Sequence, residues 1–164
     1  MSIRTAIITL SDKGAAGERV DESGKVIREM IGAINASPDH YEILPDDIDR
    51  IIESLKRLSD SGAIDLILTT GGTGVAPRDV TPEATLAVID RMLPGMAEAM
   101  RAESFKQTPH ALISRAVAGI RKQTLIVNLP GSPKAVRENL AVILPALTHA
   151  VEKMKGDPAD CGNS

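Results

Sequence analysis

Short aliphatic runs alternate with helical patterns along this chain, and this alternation is the strongest constraint on its fold. Three of the runs are almost continuously apolar: residues 3–10 (IRTAIITL), 63–70 (AIDLILTT) and 124–129 (TLIVNL). Such runs are typical of parallel strands that helices cover on both faces. A shorter run, HYEIL, ends at Pro45 and predicts another strand.

Helical spacing of aliphatic residues fills the intervals between these strands. It covers residues 23–35, 47–60 and 133–154, and Pro145 is expected to kink or divide the last of these helices. Pro82 predicts the start of another helix, which we expect to reach about Met92.

A turn near residues 121–123 predicts that TLIVNL pairs with the segment before it. The overall pattern predicts an α/β fold: a single three-layer domain with a mostly parallel sheet between helices. We expect residues 1–155 to form this domain and residues 156–164 to form a flexible C-terminal tail.

The composition excludes several functional classes. A formal net charge of -3 argues against a surface that coats nucleic acid or an anionic membrane. One Phe, one Tyr and no Trp leave no aromatic platform for stacking bases. The single Cys161 cannot form an internal disulfide, and the apolar run near the N-terminus is too short to span a membrane. We therefore expect a cytoplasmic protein without nucleic-acid or membrane partners.

Polar residues follow each predicted strand at its carboxyl end. They occupy residues 11–17, 45–47, 69–81 and 128–132. In open α/β sheets the ligand crevice lies beyond these strand ends, so the sequence predicts a small-molecule site at this edge.

The third of these segments, TTGGTGVAPRDVT, contains three closely spaced glycines. Gly71, Gly72 and Gly74 allow positive φ angles and let backbone N–H groups approach an anion. The segment has neither the Gly-Lys-Ser/Thr of a P-loop nor a dinucleotide fingerprint. Its spacing fits a phosphate site and a plain structural turn equally well.

Two aspartates are candidates for holding Mg²⁺. Asp79 could cap the following helix, but Thr81, directly before Pro82, is better placed to do so. Asp46 has the same ambiguity, because Asp47 could cap its helix instead. Magnesium takes one or two protein carboxylates together with substrate phosphates, so the pair also fits a metal site.

The glycine segment, read as TTGGTGVAPRDVTPEAT, resembles the signature of the MogA/MoaB-type molybdopterin adenylyltransferases of molybdenum cofactor biosynthesis. The segments ITLSDKGAAGERVDESG, LPDD and SRAVAGIRKQTLIVNLPGSPKAV match the same family in order, so the resemblance extends over nearly the whole chain.

The resemblance implies a fold like that of molybdopterin-binding domains and a Mg²⁺-dependent reaction. In that reaction the terminal phosphate of molybdopterin attacks the α-phosphate of ATP, and pyrophosphate leaves. The catalytic and metal-binding carboxylates fall on Asp46 and Asp79. The family also implies a homotrimer and a hand-over of the product to a molybdenum-insertion enzyme. The predicted nucleotide- and pterin-binding residues are Ser11, Asp12, Gly71, Gly72, Thr73, Gly74, Arg78, Ser114, Asn128, Pro130, Gly131 and Ser132.

Other interpretations stay open at this point. Arg78, Arg115 and Lys134 are candidates for neutralising phosphate charge, or for forming exposed salt bridges instead. The chain could also be a binding protein of the same family without turnover, a nucleotide sensor, or a relative of the domain that inserts molybdate. The paired aspartates and the full glycine segment favour the adenylyltransferase.

Overall fold

The computed structural model describes residues 1–159 and 161 and contains, within them, one sheet of six strands. The strands are β1 (Ile3–Leu10), β2 (Ala36–Leu44), β3 (Leu66–Thr70), β4 (Arg91–Met92), β5 (Ala118–Arg121) and β6 (Thr124–Leu129). Their order across the sheet is β2-β1-β3-β6-β5-β4. The first four in this order are parallel, and β5 pairs antiparallel with both β6 and β4.

Helices cover both faces of this sheet. They are α1 (Asp12–Ala15), α2 (Glu22–Ile31), α3 (Ile48–Asp60), α4 (Thr81–Leu86), α5 (Pro94–Phe105) and α6 (Pro133–Met154), with 3₁₀ turns at Gly32–Ile34 and Pro109–Ile113. One hydrophobic core lies under α2, α5 and α6, and the other lies under α3 and α4. The predicted α/β domain of three layers is thereby confirmed.

Alternate side chains of the central strands enter opposite cores. In β3, Leu66 and Leu68 pack into the first core and Ile67 into the second, and all three are fully buried. Because both faces of the strand are covered, both must be apolar. This explains the continuous aliphatic runs of the sequence.

The structure departs from the predicted helices in three places. The helix that begins near Pro82 ends at Leu86 rather than Met92, because the chain turns to form β4 and pair with β5. The short helix α1 was not predicted. Helix α6 is not divided at Pro145, which lies on the exposed side of the helix together with Ala141. The Ala141 carbonyl that loses its intrahelical partner there can bond to water.

A buried carboxylate ties the amino ends of the strands to the end of α6. The side chain of Asp65, 1% exposed, accepts a hydrogen bond at Oδ1 from Arg4 Nη2 (2.7 Å), and Lys155 Nζ lies 2.6 Å from the same oxygen. Burial alone would raise the pKa of Asp65, but the two cations lower it to about 2. This cluster lies at the edge of the sheet opposite to the carboxyl ends of the parallel strands.

No helix in residues 1–159 or at 161 is both long and apolar enough for a membrane span. The expected flexible tail, residues 156–164, falls partly on residues 160 and 162–164, which lie outside the described residues. The expected division at residue 155 stays a prediction.

Candidate functional site

The register of the parallel strands brings three polar segments to one edge of the sheet. Thr9 in β1 pairs with Thr70 in β3, and Thr70 pairs with Leu129 in β6. Because the three strands end at the same level, the segments that follow them begin next to one another. This is the edge at which the sequence predicts a ligand site.

Two adjoining cavities lie at this edge. The first has a volume of about 600 Å³ and lies among the ends of β1 and β3, Asp46 and the start of α2. The second has a volume of about 430 Å³ and lies between the glycine segment, α5 and the turn before Ser114. Four residues line both cavities: Gly72, Asp79, Gly131 and Ser132.

Most of the predicted site residues line these cavities. The first cavity is lined by Ser11, Asp46, Gly71, Gly72, Asp79, Gly131 and Ser132. The second is lined by Gly72, Thr73, Gly74, Asp79, Ser114, Pro130, Gly131 and Ser132. Asp12, Arg78 and Asn128 line neither cavity.

The two glycines after β3 have left-handed backbone conformations. Gly71 has a φ of 97° and Gly72 a φ of 67°, which residues with side chains rarely adopt. A methyl group at Gly71 would collide with the Leu10 carbonyl oxygen, and one at Gly72 would collide with the Thr81 hydroxyl. The chain therefore needs glycine at both positions.

Thr81 holds this tight turn from the other side. Its Oγ1 donates a hydrogen bond to the Gly71 carbonyl (2.9 Å), and its backbone N–H donates to the Gly72 carbonyl (3.1 Å). The prediction that Thr81 caps α4 is therefore wrong. Thr81 is the first residue of the helix, and Val80 precedes it without a side-chain cap.

Asp46 lines the first cavity and has one buried carboxylate oxygen. Its Oδ1 is buried and has no hydrogen-bond partner among the described residues. A methyl group placed on Gly72 would lie 3.2 Å from this oxygen, so the oxygen faces the glycine segment. Burial raises the pKa of Asp46, and the neighbouring carboxylates of Asp12 and Asp79 raise it further.

The choice between Asp46 and Asp47 as helix cap is resolved by the structure. Asp47 Oδ1 accepts hydrogen bonds from the backbone N–H groups of Asp49 and Arg50, both at 3.1 Å, and so caps α3. Asp46 is left for the site.

Asp79 lies where the two cavities meet, and it does not cap a helix either. Its Oδ2 accepts a hydrogen bond from the backbone N–H of Ala76 (2.9 Å), within its own loop. In residues 1–159 and 161 no group of three or more His, Cys, Asp or Glu is arranged to hold a metal ion. Two carboxylates with one unpartnered buried oxygen fit Mg²⁺, because that ion keeps waters and substrate phosphates as its other ligands.

Arg78 is paired with Asp12 rather than directed into a cavity. Its Nε and Nη2 donate to the two carboxylate oxygens of Asp12 at 2.6 Å and 2.8 Å, and this lowers the pKa of Asp12. Asp12 Oδ1 also accepts a hydrogen bond from the backbone N–H of Asp46 (3.0 Å). The pair therefore holds the backbone of Asp46 in place.

Arg115 holds the glycine segment through hydrogen bonds to its backbone carbonyls. Its Nε donates to the Gly74 carbonyl and its Nη2 to the Asp79 carbonyl, both at 2.7 Å. Its backbone N–H donates to the Thr73 carbonyl (2.8 Å), and its Nη1 pairs with Glu83. Arg115 thus holds the backbone on both sides of the turn that ends in Asp79.

Asn128 lies beneath the site rather than on a cavity wall. The residue is fully buried, and its Nδ2 donates to the hydroxyls of Thr69 and Thr85, both at 3.0 Å. Its Oδ1 accepts from the backbone N–H of Val117 (3.2 Å). The structure therefore gives Asn128 a supporting position, with its side chain out of reach of a ligand in either cavity.

Other lining residues were missed by sequence reasoning. Asp21 lines the first cavity and accepts hydrogen bonds from the Thr9 hydroxyl (2.7 Å) and the Gly24 N–H (2.9 Å). Ser23 donates to the Gly131 carbonyl (2.7 Å) and so joins α2 to the turn after β6. Asp21 precedes a helical pattern, and this position could have identified it as a cap.

The second cavity is lined by further polar residues that no motif indicated: Arg101, Ser104, Thr108 and Asn139. Arg101, Ser104 and Asn139 lie on helices whose sequence indicates only packing, and Thr108 caps the 3₁₀ turn that begins at Pro109.

Comparison with known proteins shows which family this chain belongs to. Residues 6–149 match the model of a family described as "probable molybdopterin binding domain". The chain belongs to this family. It is 44% identical over 158 residues to the molybdopterin adenylyltransferase of Helicobacter pylori strain J99, and the match covers 95% of this chain and 90% of that protein.

A second relative and a solved structure show the range of the family. Gephyrin from Dictyostelium discoideum is 43% identical over 93% of this chain, but the match covers 22% of gephyrin. The crystal structure of the molybdopterin biosynthesis enzyme MoaB from Thermus thermophilus is 48% identical. Its TM-score to this fold is 0.89, and the match covers 96% of this chain and 99% of that one.

Proposed function

We propose that this protein is a molybdopterin adenylyltransferase that transfers AMP from ATP to the terminal phosphate of molybdopterin. Membership of the family supports the reaction class. The observation that carries the proposal is the unpartnered, buried Oδ1 of Asp46 beside a junction of two cavities that Asp79 lines from both sides. A reaction between two anionic substrates needs such a junction.

The proposed step is a displacement at phosphorus. A terminal phosphate oxygen of molybdopterin attacks the α-phosphorus of ATP, the bond to the β-phosphate bridging oxygen breaks, and pyrophosphate leaves with that electron pair. Such transfers depend on positioning and on neutralising charge more than on covalent catalysis. One substrate would occupy each cavity, so the reacting groups would meet beside Asp79.

Asp46 and Asp79 would hold Mg²⁺ in this proposal, and the ion when bound would neutralise charge on the phosphates. The residues of this chain supply the rest of the arrangement. The Gly71 N–H donates to the Leu129 carbonyl (3.2 Å), so in this proposal the backbone N–H groups that follow it, from Gly72 to Gly74, would bind phosphate oxygens. The α6 N-terminus, which Ser132 caps, adds a partial positive charge at the junction.

The test measures pyrophosphate release from ATP and Mg²⁺, with and without molybdopterin, in the wild type and in Asp79→Asn. We expect molybdopterin-dependent release that falls by about 100-fold or more in a folded Asp79→Asn variant, because a neutral amide is a weaker ligand for Mg²⁺ than the carboxylate it replaces. Asp49→Asn is the matched control, since Asp49 is exposed on α3 away from both cavities.

Other outcomes would identify other functions. Binding of molybdopterin without release of pyrophosphate would make the chain a binding protein. Binding of ATP with no need for the pterin would indicate a nucleotide sensor, and molybdate-dependent cleavage of adenylylated molybdopterin would indicate the insertion reaction. The homotrimer and the hand-over to a molybdenum-insertion enzyme stay predictions that follow from the family, and the cytoplasmic location stays a prediction from the composition.

A further inference from the structure

Arg101 is an unusual arginine in this fold. It lies on α5, is half-buried and lines the second cavity. Within residues 1–159 and 161, three other arginines are half-buried, and each of them pairs with a carboxylate: Arg4 with Asp65, Arg115 with Glu83 and Arg121 with Asp60. Arg101 has no such partner in that part of the chain.

Its hydrogen bonds use one nitrogen of the guanidinium. Nη1 donates to the Ala116 carbonyl at 2.8 Å and, at the longer distance of 3.5 Å, to the Ser114 carbonyl. Nε and Nη2 have no hydrogen bond to the described residues. A half-buried cation without a counter-ion costs free energy, and a guanidinium offers five donors in a planar fork. The free donors of Arg101 are therefore available to a ligand in the second cavity.

The neighbours of Arg101 leave an acceptor in the same cavity. Asn139 Nδ2 donates to Ser104 Oγ (3.0 Å) and to the Ala135 carbonyl (2.7 Å), so both amide hydrogens are used. Its Oδ1 accepts no hydrogen bond from the described residues. Glu138, the nearest acidic residue along α6, lies 3.9 Å from Lys134 and lines the same cavity. The cavity thus combines free donors with free acceptors.

We infer that Arg101 is a specificity-determining residue of the second cavity that donates hydrogen bonds to an acceptor oxygen of the pterin substrate. The inference rests on the proposed function, because that function supplies molybdopterin as the second substrate. Two groups of molybdopterin offer such oxygens, the ring carbonyl and the terminal phosphate, and a planar guanidinium suits either one. Arg101 acts on the binding of molybdopterin and leaves the transfer of AMP at the junction beside Asp79 unchanged.

The experiment compares Arg101→Met, Arg101→Lys and the control Arg50→Met. Arg50 is exposed on α3 and has no ion pair among the described residues. In the pyrophosphate assay we expect Arg101→Met to raise the KM for molybdopterin by about 10-fold or more, the cost of one charge-assisted hydrogen bond. The KM for ATP and kcat should stay within about two-fold of the wild type. Arg101→Lys should have a KM for molybdopterin between those of the wild type and Arg101→Met. The control Arg50→Met should have the KM of the wild type.

Two probes separate the sources of the acceptor oxygen. Fluorescence titration with 6-hydroxymethylpterin reports the ring, and competition by inorganic phosphate reports the phosphate. The probe whose affinity falls in Arg101→Met identifies the group bound. The inference is overturned if Arg101→Met, folded by circular dichroism, binds both probes and molybdopterin as the wild type does, or if the wild type binds none of them. It is also overturned if the KM for ATP rises as much as that for molybdopterin.

These titrations distinguish the inference from the proposed function. A wild type that binds the pterin without releasing pyrophosphate refutes adenylyl transfer, yet the loss of pterin affinity in Arg101→Met would still establish the role of Arg101. Conversely, a wild type that is active and an Arg101→Met variant with an unchanged KM for molybdopterin would refute the inference alone.

Discussion

Replacing Asp65 with Asn should remove a pH-dependent contribution to the stability of this fold. Arg4 and Lys155 lower the pKa of Asp65 from 3.8 to about 2 against the opposing effect of burial. A carboxyl whose pKa is lower by that amount in the folded state than in the unfolded state contributes about 2 kcal/mol to the free energy of unfolding at neutral pH. Since the folded-state pKa is the lower one, this stabilisation is fully present at pH values above the unfolded-state pKa. It is lost as the pH falls toward about 2, the folded-state pKa.

The assay is urea unfolding of the wild type and Asp65→Asn at several pH values between about 7 and 2. At neutral pH the variant should be less stable by about 2 kcal/mol, and the two curves should converge as the pH approaches about 2. A difference that stays constant across this range, or no difference at neutral pH, would refute the reasoning. Asp60→Asn is the matched control. Asp60 also pairs with two cations, Arg121 and Lys122, but it is exposed, so solvent screening should make its effect smaller.

Two other substitutions test the opposite edge of the sheet. Asp46→Asn should raise the melting temperature at neutral pH, because it removes a charge that burial and two nearby carboxylates disfavour. It should also abolish pyrophosphate release, because Asp46 would hold Mg²⁺ in the proposed reaction. A melting temperature below that of the wild type contradicts the first expectation. Gly71→Ala should destabilise the fold by at least about 1–3 kcal/mol in urea unfolding, because alanine is strained at a φ of 97° and would meet the Leu10 carbonyl. Wild-type stability of Gly71→Ala would exclude that strain.

The sequence was sufficient to predict β1, β3 and β6, because burial on both faces requires apolar residues along the whole strand. Of the edge strand β2 only the end, HYEIL, was predicted, because most of its residues are not buried and form no apolar run. The sequence was not sufficient for the segment from Leu86 to Met92, where local signals favour a helix. Pairing of β4 with β5, which lies more than twenty residues further along the chain, decides the structure there. Such nonlocal pairing leaves no local pattern in the sequence.

The candidate site, too, could be predicted from the sequence only in part. Asp46 and Asp79 were predicted because carboxylates after parallel strands meet at one edge, and the structure brings them to one cavity. The side chain of Asn128 was misplaced because its direction depends on the register with Thr69, which motif spacing does not reveal. Arg101 was missed because its position on the wall of the second cavity depends on the packing of α5 there.

The cluster of Arg4, Asp65 and Lys155 also has a consequence for how this fold can be built into longer proteins. It brings the beginning of β1 and the end of α6 together, at the edge of the sheet remote from both cavities. Polypeptide attached to either end would leave the domain on that side, without crossing the ligand entrance. The fold can therefore serve as one module of a larger chain, as the matched segment of Dictyostelium gephyrin does.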